Sequence, residues 1–359
     1  MRPGYVTVAL LVSAALFAAC EKEFDLSTLP QQGAPSLDTA YVELFPPFAG
    51  YAGAADVAVG NDQLIYVADT RANRLVMMNT AGQILSTRTM LHPQVVAQDE
   101  RLDLLVGGEV AGANGDTMGA IFRLHLVSNN PDTAHHLDRS PIDTVWRETA
   151  HPARRFAGIA TFYDNTYIAA RNGPDNSSFI DPDGRVLLFD AGDNFITPVP
   201  ALTTGAGSGI TYIYVPTGLA VFPGVKDFIL VQTSQGVSYG AIWLTYQVTS
   251  DFIGWVPEFD PANPDQRSID FIRPNRFLTP LSVAIDNVRR DIFIADAGLD
   301  SVFKFNSRGG YKQESFGFYR SGGRMIQPVA VAFSNLVLYV LDTSTGNILR
   351  YRLTSDVPH

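Results

Sequence analysis

The 359 residues contain one cysteine, Cys20. An internal disulfide framework is therefore excluded, and stability has to come from packing. Charge is sparse as well: Asp, Glu, Lys and Arg together make up 17% of the chain, and their balance is −10. So acidic a chain lacks the basic face that displaces counterions from phosphates, which argues against a nucleic-acid partner. Tryptophan occurs three times and histidine six. Neither a His-Glu-x-x-His pattern nor paired Cys/His spacing occurs, so no metal or other cofactor is expected from motifs. A Gly-x-Ser-x-Gly elbow for a serine nucleophile is also missing. The Gly-rich stretch Gly205 to Gly209 is followed by Ile210 where a phosphate cradle needs lysine, so it reads as a flexible connection.

What is present begins with a short leader. Arg2 is followed by an apolar run from Val6 to Phe17, too short to span a bilayer, and then by Ala18 and Ala19 ahead of Cys20. Residues 1–19 read as a signal peptide, and Leu16-Phe17-Ala18-Ala19-Cys20 resembles the lipobox of bacterial lipoproteins, Phe17 standing where Leu or Val is usual. The resemblance implies a lipid on Cys20 that holds the chain to a membrane. Glu21 in place of the retaining Asp implies the outer membrane, facing periplasm or cell surface. Residues 20–39, with Pro30, Gly33 and Pro35 and little apolar periodicity, read as a flexible tether.

From there on the chain is 46% hydrophobic overall and is patterned in short strands. Leu64 to Asp69, Asp291 to Asp296 and Leu336 to Asp342 each follow a short apolar strand and a turn, and each precedes another strand. Looser copies run through residues 94–124, 158–190 and 218–244, making six. Asp69, Gly108, Arg171, Thr233, Asp296 and Asp342 end the second strand of each copy. The closer pairs of these markers fit a four-stranded blade of about 40–50 residues, and the wider intervals carry insertions. The insertions are Asn129–Pro152, Pro174–Gly184, Pro198–Pro216 and Pro257–Pro280, all rich in loop-forming residues. The last copy ends at Leu353 without a fourth strand, while Tyr41 to Phe45 is a spare strand at the other end of the domain.

The copies at Asp56–Gly82, Pro280–Gly309 and Pro328–Leu353 resemble NHL repeats. The expected fold is all-β: a six-bladed β-propeller over residues 40–354, closed by pairing of the N-terminal strand with the last blade, with a tail at 355–359. Closure would hide an edge that otherwise invites aggregation.

Asp69, Asp296 and Asp342 read as structural turn caps, since each precedes a turn with Asn or Gly. Ligand-binding candidates are sought where the pattern breaks. Arg171 puts a cation in place of the capping Asp, and Arg155, His92, Glu109 and Asp56 stand near the expected channel mouth. Amidating lyases of this fold bind zinc through channel histidines, but the equivalent positions here, Ala55, Leu281 and Val329, are apolar. Function is read as a non-catalytic binding or scaffold module for a protein or glycan partner. The alternative is a metal-assisted, lactonase-like hydrolase, which needs hard oxygen donors such as Glu109, Asp56 and Asn172 to converge.

Overall fold

A computed structural model describes residues 39–112, 115–127, 130, 132, 134–178, 180–199, 213–233, 239–259, 265–317 and 325–356. Residues 1–38, on which the signal-peptide, lipidation and tether readings fall, and residues 205–209 and 357–359 lie outside the described residues.

Antiparallel hairpins build every sheet. The first blade runs β3 (Asp56–Val59), β4 (Ile65–Asp69), β5 (Arg74–Met78) and β6 (Ile84–Thr89), after two short strands, β1 (Tyr41–Glu43) and β2 (Phe48–Ala49). The second holds β7 (Val95–Gln98), β8 (Leu104–Ala111), β9 (Thr117–Leu124) and β10 (Ile142–Arg147). The third holds β11 (Arg155–Thr161), β12 (Tyr167–Asn172), β13 (Arg185–Phe189) and β14 (Phe195–Pro198). The fourth holds β15 (Pro216–Val221), β16 (Phe228–Gln232), β17 (Ala241–Val248) and β18 (Ile253–Pro257). A short helix, α1 (Gln266–Phe271), precedes the fifth, which has β19 (Pro280–Ile285), β20 (Ile292–Asp296) and β21 (Ser301–Phe305). The sixth has β22 (Pro328–Ser334), β23 (Val337–Asp342) and β24 (Asn347–Leu353). Innermost strands touch in the order β3, β7, β11, β15, β19, β22 and back to β3, so six sheets form a ring. This is a six-bladed β-propeller.

Strand alternation explains why the ring holds. Side chains on a strand point alternately to opposite faces. On β4, Ile65 and Val67 enter an apolar cluster with Ala330, Tyr339 and Leu341 of the sixth blade, while Tyr66 and Ala68 enter one with Val96, Leu104 and Phe122 of the second. Every junction between neighbouring blades has such a cluster, so the core is divided into six inter-blade layers. Trp243 shows the aromatic version. It stacks on Phe222 at 4.5 Å and meets Phe259 and Phe271 edge-on, which places it in packing between the fourth and fifth blades.

Two blades depart from four regular strands. In the fifth, the outer partner of β21 is reduced to two isolated bridges, Val302 to Phe316 and Phe305 to Tyr311. In the sixth, the outer position is taken by β1, antiparallel to β24 with Tyr41 opposite Leu353 and Glu43 opposite Tyr351. Tyr41 also stacks on Phe316 at 5.4 Å and meets Phe293 edge-on at 5.9 Å, so the spare strand touches the fifth blade too.

Strand direction gives the ring two faces. Inner strands start, and second strands end, at what we call the mouth face; the turns after the first and third strands lie at the basal face. The chain therefore leaves β12 at residue 173 and β18 at residue 258 on the mouth side. The stretch Asn129–Pro152 needs correction as an insertion: it contains β10, and the chain leaves β9 after Leu124 and enters β10 at Ile142 on the basal side. The apolar residues of β10, Ile142, Val145 and Trp146, are only partly buried and fall out of period-two alternation at a bulge between Thr144 and Trp146, which is why the stretch reads as loop.

Candidate functional site

The six inner strands enclose a central channel with a cavity of about 230 Å³. Ala55, Gln94, Ala157, Thr217, Leu281 and Val329 line it; the last four each fall in the register shift near the start of their inner strand. Aliphatic residues make up most of the rest of the wall. Among the described residues, Asp56 is the one ionisable side chain on it.

Asp56 has a structural partner that its position explains. It pairs with Ala68 as Ser282 pairs with Ala295, so the two occupy equivalent places in the first and fifth blades. Asp56 Oδ2 accepts the Val96 N–H at 2.9 Å, and Ser282 Oγ accepts the Val331 N–H at 3.1 Å. Each thus clasps the inner strand of the next blade. The corresponding residues elsewhere are Val95, Gly158, Gly218 and Ala330, which have no side-chain acceptor. Burial pushes the Asp56 carboxyl up to about 6, against the opposing backbone N–H groups of Val96 and Val57. Among the described residues no cation pairs with it.

Three of the other candidates gather at the mouth. Arg155, at the start of β11, reaches Glu109 near the end of β8, Nε to Oε1 at 2.8 Å. His92 Nδ1 stands 3.2 Å from Glu109 Oε2. Burial opposes the Glu109 charge, but Thr117, His92 and Arg155 together hold its carboxyl below the usual range. Arg155 also donates to the Pro152 and Arg154 carbonyls, which directs its guanidinium along the rim.

Arg171 goes elsewhere. It is 4% exposed and donates to Asp181 Oδ1 at 2.7 Å and to the carbonyls of Pro182 and Asp183, with Glu148 at 3.4 Å. Arg154, adjacent in sequence to Arg155 but turned the other way, bonds Asp183 at 2.6 Å and Asp181 at 2.7 Å. The two arginines therefore hold the insertion 173–184 against Glu148. Arg154, Glu148 and the two aspartates are the residues that sequence reasoning missed. Their signal was Asp181-Pro182-Asp183-Gly184, legible as a turn, with nothing to show that two arginines fold onto it.

The capping aspartates divide in the same way. Asp296 accepts N–H groups from Gly298 and Leu299 in its own turn and also from Leu278 and Thr279, which lead into β19. Asp342 accepts from Thr345 and also from Ile326 and Gln327, which lead into β22. Asp69 instead takes the Arg74 guanidinium at 2.7 Å. Asn172 donates to the Pro216 carbonyl at 3.1 Å. Among the described residues no group of three His, Cys, Asp or Glu side chains is arranged to hold a metal ion.

No protein-family model and no curated protein matches the chain. Solved structures do. The PQQ-bound aldose sugar dehydrogenase from Streptomyces coelicolor is 14% identical, with 89% of this chain and 100% of that one covered and a TM-score of 0.58. A luciferin-regenerating enzyme is 13% identical over 88% and 95%, with a TM-score of 0.57. A Bacteroides thetaiotaomicron protein of unknown function is 9% identical over 87% and 76%, at 0.56. At such identities the likeness is one of fold alone.

Proposed function

We propose that the chain is an outer-membrane-anchored lipoprotein whose propeller is a non-catalytic binding or scaffold module, with the mouth face turned to a protein or glycan partner. The observation that carries this reading is how the mouth's ionic groups are used. Arg154 and Arg171 are bonded to an insertion, Arg155 and His92 flank Glu109, Asp296 and Asp342 bind backbone, and Asp69 takes Arg74. Such pairing makes rigid loops, and rigid loops on a broad face suit recognition. Ile180, 82% exposed, stands on the insertion that the arginines hold. A lactonase-like hydrolase would need three converging oxygen donors, and the mouth offers Asp56 apart from the Glu109 cluster.

The test places a photo-cross-linking residue at Ile180 of the full chain in its native envelope. A discrete adduct with one protein or glycan, lost when Arg171→Ala frees the insertion, is the expected result. Absence of any adduct, or a rise in melting temperature on adding calcium or zinc, overturns it.

A further inference from the structure

Sixteen large apolar side chains are exposed among the described residues, and they are unevenly placed. Ten stand at the basal face, on the turns after first or third strands or on the strand ends beside them. Leu85, Val127, Tyr163, Ile253, Val288 and Leu336 represent the first, second, third, fourth, fifth and sixth blades in that order. Single exposed apolar residues are ordinary on any surface. A set with a member in each blade at one end of a ring is a different arrangement, since hairpin tips at one end of a propeller lie around a common plane.

A second observation gives that face a direction. β24 runs from mouth to base, and β1 is antiparallel to it with Tyr41 opposite Leu353. β1 therefore begins at the base, on the side where the apolar tips are. A surface holding a lipid on Cys20 would lie on that side without the tether having to run round the ring.

Charge argues which surface fits. Several basal carboxylates are held by partners, Asp164 by Lys226 at 2.7 Å, Asp356 by Arg289 at 2.9 Å and Asp99 by Arg123 at 2.7 Å, while Glu100 and Asp251 stand exposed on basal turns. Asp190 and Asp286 turn back to accept N–H groups of Gly192 and Val288. With a chain charge of −10, an anionic surface is repelled as a whole.

We propose that the basal ring of hairpin tips is a lipid-docking face, which seats the propeller on a bilayer surface of no net charge and turns the mouth outward. The inference deepens the lipid-anchored reading and depends on it for the presence of a membrane. Apolar tips of this kind enter the boundary between headgroups and acyl chains without spanning.

The test uses the full chain bearing Cys20→Ala, so that no lipid contributes, with or without Leu85→Ser, Ile253→Ser and Val288→Ser. These three side chains are 51%, 68% and 87% exposed, so the triple variant keeps its melting temperature. Partition onto phosphatidylcholine vesicles is measured by sedimentation; the apolar leader is common to both proteins and cancels. At least a fivefold loss of partition in the triple variant is expected. Equal partition overturns the docking face, and so does a changed oligomeric state with unchanged partition, which would assign the face to a second copy. Envelope fractionation of the natural chain against Cys20→Ala tests the anchor separately, so failure of one reading is distinguishable from failure of the other.

Discussion

Asp56 and His125 both titrate above their ordinary values, for opposite reasons. Asp56 lines an aliphatic channel, and burial raises its carboxyl to about 6, above the unfolded value of about 3.9. The folded state therefore binds more protons than the unfolded state between roughly pH 4 and 6, and stability falls as pH rises through that window. Asp56→Asn keeps an acceptor for the Val96 N–H and removes the charge. We expect urea unfolding at pH 8 to show a gain of about 1–2 kcal/mol, discounted from the full shift because the group borders the channel, and little change at pH 4. His125 lies between two acids, Nδ1 at 2.9 Å from Asp103 and Nε2 at 3.0 Å from Asp143. Burial disfavours its charge, but the hydrogen bonds with Asp143 and Asp103 outweigh it and the imidazole titrates above its ordinary value. Its contribution is present below the unfolded pKa and is lost as pH rises through the folded one. His125→Gln is expected to lower the melting temperature by about 2 °C at pH 5.5 and to have no effect at pH 9.

At the scale of the element, the third blade depends on a buried ionic layer in place of a regular turn. Arg154, Arg171, Glu148 and Asp183 are each 4% exposed or less, so removing one leaves charge uncompensated in a poorly solvated place. Arg171→Ala is expected to cost about 3 kcal/mol in chemical denaturation, and limited proteolysis should then cut first within residues 173–184. Cleavage elsewhere first would show that the insertion is held by other contacts. The capping aspartates are elements of the same kind. Asp296 and Asp342 tie the start of an inner strand to the turn beside it, which a turn-cap reading covers only in part. The copies with an Asp were legible because the same residue recurs at the same place in the repeat. Arg171 was legible only as a departure, since the partner of a cation lies wherever an insertion folds.

For the whole molecule, stability is shared round a ring of six junctions, and β1 is the place where distant parts of the chain meet. Removing residues 40–47 takes away the strand beside β24, the Phe48 lead-in and the Tyr41 ring that rests on Phe316 and Phe293. Because each sheet is an apolar layer between two others, the loss should pass to the neighbouring junctions. The expected outcome is one cooperative thermal transition lowered by several degrees, with aggregation from the bared edge of β24. An unchanged melting temperature would mean that the strand pairs without fastening the ring.

The sequence by itself determined the number of blades, their order and the alternation that buries both sheet faces, because period-two patterning and turn residues are local properties. It also singled out the residues that break the pattern. Tertiary structure alone decided what those residues meet. It put Arg171 under an insertion, set Glu109 between Arg155 and His92, left Asp56 on the channel wall, and set the junction of β9 with β10 at the face opposite the junction of β12 with β13. It also gathered at one end of the ring apolar tips that are scattered singly along the chain. Ion pairs and surface patches join residues distant in sequence, so their geometry is fixed by how the sheets close on one another and not by any neighbouring residue.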